Sequence, residues 1–147
     1  MPKVEDCYDP KSVQHVIAGT YPKEEDMIIE MEAVAAILEK YNVEVFRPKV
    51  IENYNQIFSR DIAFVIDDKL VKANILPDRD QEIEAISHVI SNIDAINIIT
   101  LPDECHVEGG DVMPWNDYIF VGTYSGDDYS DYITARTNVD AVIALQE

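Results

Sequence analysis

The feature that most constrains this chain is the order of its apolar segments between residues 62 and 100. Residues 62–66 and 70–75 are apolar runs flanking Asp67-Asp68-Lys69, a connection short enough for a hairpin turn although it lacks the usual glycine. Ile83, Ile86, Ile90 and Ile93 then share one face of a helix expected over about 80–93, and residues 95–100 supply the next strand. Strand, strand, helix, strand is a β-β-α-β unit, and it predicts an α/β fold.

The flanking segments extend the pattern. Val13-Gln14-His15-Val16-Ile17-Ala18, opened by Asp9-Pro10 and closed by Gly19, reads as a short buried strand. Met27, Met31, Val34 and Leu38 recur at helical spacing over about 24–41, with Glu24, Glu25 and Asp26 suited to the helix N-terminus. Val43-Glu44-Val45-Phe46 alternates as a further strand, stopped by Pro48. Residues 111–113 and 118–122 read as a hairpin turning through Pro114-Trp115-Asn116-Asp117. After a polar loop over 125–132, Thr137 or Asn138 caps a last helix carrying Val139, Val142, Ile143 and Leu145. That helix has barely completed its third turn at residue 147, so the chain is expected to be part of a larger architecture, with two or so β-β-α-β units and no strong repeat between them.

Composition excludes several classes of function. The 147 residues are 47% hydrophobic, enough for one compact core, so residues 1–147 are expected to form a single domain or part of one. Against 11 Lys and Arg stand 29 Asp and Glu, a net charge of −18 that repels phosphate backbones and anionic lipid. Neither nucleic acid nor a membrane is an expected partner. The same field attracts cations, guanidinium compounds among them, and it also serves solubility. Cys7 and Cys105 are too few for a disulfide framework, and no signal peptide or apolar run of about 20 residues is present, so a cytoplasmic setting is expected.

Two motifs carry candidate chemistry. In Gln56-Ile57-Phe58-Ser59-Arg60-Asp61-Ile62, an Arg-Asp pair stands immediately before an apolar strand. On pattern alone it fits a local turn or salt bridge at a strand end as well as a site. In Glu108-Gly109-Gly110-Asp111-Val112, two carboxylates bracket glycines that permit tight turns and close approach to a ligand. Paired carboxylates suit a guanidinium, whose planar fork of donors they accept bidentately. A Gly-Gly bulge with both acids solvated fits the same pattern.

These segments, in this order and followed by Arg136-Thr137-Asn138, resemble the amidinotransferase and arginine deiminase (pentein) superfamily. The opening, Tyr8-Asp9-Pro10 through Gly19, and Val43-Glu44-Val45-Phe46-Arg47-Pro48 are similar to its first strand and to the strand after its first helix, so the likeness covers nearly the whole chain. The resemblance implies a pentein α/β propeller of β-β-α-β modules, of which this chain supplies roughly the first half. It also implies a guanidino-group modifying enzyme, a hydrolase or amidinotransferase acting on arginine or a related compound. In such chemistry a Cys thiolate attacks the guanidinium carbon, and no metal or organic cofactor is required. By motif, Asp61 resembles the carboxylate that grips the guanidinium, and Glu108 the catalytic acid beside the histidine. Asp111 is expected as a further substrate-binding carboxylate. Arg136 resembles the residue that binds the substrate carboxylate in some members, although a long insertion over 125–133 precedes it and pairing with Asp140 is the alternative.

One departure is decisive for activity. The family's catalytic histidine follows the Arg-Thr-Asn region and its cysteine lies near the end of a much longer chain, so both are expected to be missing here and these residues alone to be inactive. Cys105-His106 is not their replacement, because neighbours on an extended segment face opposite ways. A metal site built from His106, Glu108 and Asp111 rests on one short segment and is not expected. His88 reads as a surface residue and His15 as a packed or hydrogen-bonded one. The alternative function is a non-catalytic pentein-fold module, or gene remnant, holding an arginine-like ligand. Exposed apolar edges predict self-association or a homo-oligomer.

Overall fold

The protein is described here by a computed structural model covering residues 3–7, 10–52, 54, 56, 58–75, 79–124 and 136–146. Tyr8-Asp9 of the opening motif and the 125–133 insertion lie outside the described residues. The chain divides into two compact units, Met1–Phe46 and Arg47–Glu147.

The first unit is helical. α1 spans Pro10–Ala18 and α2 spans Glu24–Lys40. The segment expected as a strand over 13–18 is therefore the body of α1. Val13, Val16 and Ile17 sit three and four residues apart as well as being β-branched, so the end signals decide between the two readings. Pro10 occupies the first helical position, where its missing N–H costs no bond, and Gly19 at φ +68 closes the helix with its N–H on Val16 O at 3.1 Å. α2 begins with the three acids the sequence places there. It ends in a Schellman motif: Val43 N–H donates to Leu38 O and Asn42 N–H to Glu39 O, with Asn42 left-handed at φ 60. The cap engages Val43, and residues 43–46 form no strand, contrary to the alternating pattern.

The second unit realises the β-β-α-β order. β1 (Ala63–Ile66) and β2 (Lys69–Lys72) form an antiparallel hairpin in which Phe64 faces Val71, and Asp67 takes the left-handed conformation that glycine usually supplies, at φ 51. The helix expected over 80–93 is two short helices, α3 (Glu82–Ala85) and α4 (Ser87–Ile90), interrupted where Ile86 leaves helical geometry at φ −104, ψ 8. β3 (Ile98–Thr100) then returns parallel to β2, while residues 95–97, expected as strand, make a 3-10 turn.

A second antiparallel hairpin joins β4 (Val112–Trp115) to β5 (Tyr118–Val121). Its turn is shorter than the sequence suggests, because Pro114 and Trp115 pair with Ile119 and Tyr118, leaving Asn116-Asp117 as the loop with Asn116 at φ 50. Proline is tolerated there because a two-stranded sheet has only edge strands. α5 (Val139–Ala144) is capped by Asn138, whose side chain accepts from Ala141 N–H, so the cap is the second of the two residues proposed.

Phe64, Val71, Leu101, Val107, Val112 and Ala141 meet in one core, so both hairpins and α5 close over the same apolar centre. Full burial of each valine contributes about 1.5–3 kcal/mol. The architecture is mixed α/β, with a three-stranded and a two-stranded sheet, both open among the described residues. No helix of the described residues is long and apolar enough to cross a membrane.

Candidate active site

Three sequence motifs, far apart in the chain, clasp one another beside this core. Asp61 sits just ahead of β1, and Glu108 to Asp111 just ahead of β4. Gly109 N–H donates to Asp61 O at 3.0 Å, and the Arg60 guanidinium donates back through Nε to Gly109 O at 3.2 Å and through Nη2 to Val112 O at 2.7 Å. Arg60 is therefore a staple between motifs rather than a partner of its neighbour Asp61. The glycines are required by space, with no unusual φ. A Cβ on Gly109 would fall on the Arg60 carbonyl, and one on Gly110 would lie 2.7 Å from Asp61 Oδ1.

The Arg-Thr-Asn segment locks onto the same loop. Asp111 Oδ2 accepts from Arg136 N–H at 2.7 Å and from the Thr137 hydroxyl at 3.0 Å, while that hydroxyl accepts from Glu108 N–H at 3.3 Å. Thr137 is fully buried, and Asn138 ties the segment further through its N–H on His106 O. Asp111 thus holds backbone in place through Oδ2.

Glu108 lies at the centre of this clasp and is only 6% exposed. Its Oε2 accepts from Arg136 Nη1 at 3.3 Å, whereas its Oε1 is buried without a hydrogen bond, 3.9 Å from Arg79 Nη1. Burial pushes the Glu108 carboxyl above its ordinary value; Asp61 adds to the rise, and Arg136 and Arg79 oppose it. The result is a buried carboxyl that protonates more readily than usual, set in a cluster of charges.

Arg79 was not among the sequence-derived candidates. Its Nη1 donates to Asp61 Oδ2 at 2.9 Å, and its Nε and Nη2 donate to Glu82 at 2.6 and 3.0 Å. The guanidinium also lies over the Phe58 ring, 5.6 Å from its centroid. Burial acts to lower its pKa, but the bonds to Glu82 and Asp61 outweigh this and raise it, so Arg79 is firmly charged. The spacing Arg79-x-x-Glu82 at a helix start was the available signal for this pair. The contacts to Asp61 and Glu108 cross too much of the chain to be read from a pattern.

Asp61, Glu108, Asp111 and Arg136 are all brought together. Cys105 is a core residue whose thiol is pushed up by burial, with Glu104 and Asp140 adding to the rise, the opposite of an activated nucleophile. His106, Glu108 and Asp111 do not gather into a metal-ligand cluster, and none occurs among the described residues. His88 is exposed, as expected, and His15 is exposed on α1 with Nδ1 2.9 Å from Thr20 Oγ1.

No family model and no curated protein matches the sequence. Solved structures do match. A dimethylarginine dimethylaminohydrolase adduct with 4-chloro-2-hydroxymethylpyridine superposes with a TM-score of 0.69 at 17% identity, over 84% of this chain and 47% of that one. A histidine-to-glycine variant of dimethylarginine dimethylaminohydrolase in adduct with S-methyl-L-thiocitrulline gives 0.69 at 17% identity, over 84% and 46%. A cysteine-to-serine variant from Pseudomonas aeruginosa, complexed with citrulline, gives 0.67 at the same identity and coverage. The chain spans about half the length of these structures. The resemblance to the pentein superfamily, to which these hydrolases belong, is borne out at the level of fold.

Proposed function

We propose that this chain, which has the fold of about half of a dimethylarginine dimethylaminohydrolase, supplies the carboxylate side of a guanidino-group modifying active site. Its substrate would be arginine or a related guanidino compound. The observation that carries this reading is the convergence of Asp61 and Glu108, from motifs 47 residues apart, on the single guanidinium nitrogen Arg79 Nη1. Arg79 meets the two acids through Nη1 alone, its other edge being held by Glu82, so the pair keeps acceptor capacity for a second guanidinium.

In this reading Asp61 orients the substrate guanidinium and Glu108 catalyses. The raised carboxyl of Glu108 stands ready to exchange a proton as the guanidinium carbon becomes tetrahedral and its amine departs. Arg136, whose side chain is 39% exposed, offers its remaining donors to a substrate carboxylate, and Asp111 fixes Arg136 and Thr137 in place. The attacking thiolate and its histidine base would come from the second half of a longer, closed propeller of β-β-α-β modules in a cytoplasmic protein, and water resolves the covalent intermediate. Without that half the exposed Trp115, Tyr118 and Phe120 of the β4–β5 hairpin would drive self-association.

Turnover by the protein at its natural length tests the proposal. L-arginine and dimethylarginine are supplied and citrulline is measured. Thiol-dependent citrulline formation that falls by about 10²–10⁴-fold in Glu108→Gln is expected. Absence of turnover with every guanidino substrate, together with unchanged arginine binding in Asp61→Asn, would contradict it.

A further inference from the structure

Glu82 is the most deeply buried carboxylate of the described residues, at 1% exposure, and it stands outside the roles assigned above. Both of its oxygens are taken by Arg79, Oε1 by Nε at 2.6 Å and Oε2 by Nη2 at 3.0 Å. Only Nη1 is left to reach Asp61 at 2.9 Å and Glu108 at 3.9 Å. Buried ion pairs of this kind are poor devices for stability, since apolar replacements are often neutral or better. Yet Arg79 is itself a guanidinium, the group the site is proposed to grip, and it stands at the site's edge.

We infer that Glu82 is a positioning residue that keeps Arg79 from filling the guanidinium site itself. Resting on the reading of Asp61 and Glu108 given above, it holds Arg79 by the Nε and Nη2 edge, so that only Nη1 faces the two acids and hydrogen-bonds Asp61 alone. Because Glu82 lies three residues from Arg79 in the first turn of α3, this hold is local and persists whether or not ligand is bound. Released from Glu82, the fork turns to the nearest remaining acids, Asp61 and Glu108, and bidentate capture there excludes an external guanidinium.

The test is an NMR titration of the whole chain with methylguanidine, which has no carboxylate and therefore reads the acids alone. Wild type binds; Glu82→Gln binds about tenfold more weakly, the size of one charge-assisted hydrogen bond. The double variant Arg79→Ala/Glu82→Gln, which removes the competitor and its holder together, returns to wild-type affinity or better. A purely structural role for Glu82 would leave the double variant at least as weak as the single one, and that result overturns the inference, as does an unchanged affinity in Glu82→Gln. Where Glu82→Gln does not fold, the double variant decides alone: affinity equal to or tighter than wild type supports the inference, and weaker affinity overturns it. Failure of wild type to bind methylguanidine at all sinks the reading of Asp61 and Glu108 instead, and the inference with it.

Discussion

Replacing Gly110 by alanine perturbs the docking of the two motifs where it meets the Asp61 carboxylate. The new Cβ would lie 2.7 Å from Asp61 Oδ1 and 3.8 Å from its Cγ. Relaxing 2.7 Å to an ordinary contact of about 3.5 Å moves the oxygen by roughly 0.8 Å. Free rotation does not absorb this, because Asp61 Oδ2 is held by Arg79 at 2.9 Å. Misplacement of a reacting group near 1 Å costs on the order of 10²-fold, so methylguanidine affinity, or kcat/KM in a protein of natural length, falls by about 10- to 100-fold. Stability loses only part of one charge-assisted bond, about 1–2 kcal/mol. Gly109→Ala is the contrast: its Cβ falls on the Arg60 backbone carbonyl and 3.2 Å from Phe64 Cβ and Cδ1, so backbone and core must shift and the loss is about 3 kcal/mol or more. Urea unfolding beside ligand titration separates the two variants. The reasoning is refuted if Gly110→Ala binds like wild type, or if it costs as much stability as Gly109→Ala.

Three further outcomes are expected. The Glu108 carboxyl is raised on folding above its ordinary 4.5, so its contribution to stability is complete below about that pH and is lost as pH rises through the folded value. Wild type minus Glu108→Gln, measured by urea unfolding, should therefore be more favourable at about pH 4 than at pH 7, and a difference that grows toward pH 7 would contradict the sign. Cys105, buried with a raised thiol, should escape iodoacetamide in the folded chain while the partly exposed Cys7 is alkylated, so mass spectrometry should find one modification; two would count against the core placement. Asn138→Ala removes the cap on α5 and the bonds to Glu104 O and His106 N–H, and should lower the urea-derived stability by about 1–2 kcal/mol; a loss below a few tenths would remove the cap from the account.

What could be read from the sequence followed from local chemistry. The Asp67-Asp68 hairpin, α2 with its acidic first turn, the second hairpin and a cap on α5 all announce themselves within a few residues, although the pattern makes the second turn two residues too long and offers Thr137 as well as Asn138 for the cap. α1 was misread because Val13, Val16 and Ile17 satisfy strand and helix patterns at once, and only Pro10 and Gly19 distinguish them. Residues 43–46 alternate like a strand, but alternation supplies no pairing partner, and the Schellman cap claims Val43. In the candidate site, the motif residues Asp61, Glu108, Asp111 and Arg136 were legible as a set, and the structure brings them together. Their division of labour was not: Asp111 fastens backbone and Arg60 staples two loops, roles set by contacts 25 to 52 residues apart in sequence. Arg79 and Glu82 escaped notice for the same reason, since an i,i+3 pair on a short acidic helix looks like any solvated surface pair until its burial is known.

The most direct measurement of the central claim is a structure of the chain with L-arginine or citrulline bound. The account predicts the ligand's guanidino or ureido group between Asp61 and Glu108, within hydrogen-bonding distance of both, with its carboxylate toward Arg136 and Arg79 still held by Glu82. A ligand seated away from Asp61 and Glu108, or one that leaves the two carboxylates on Arg79 alone, would contradict it.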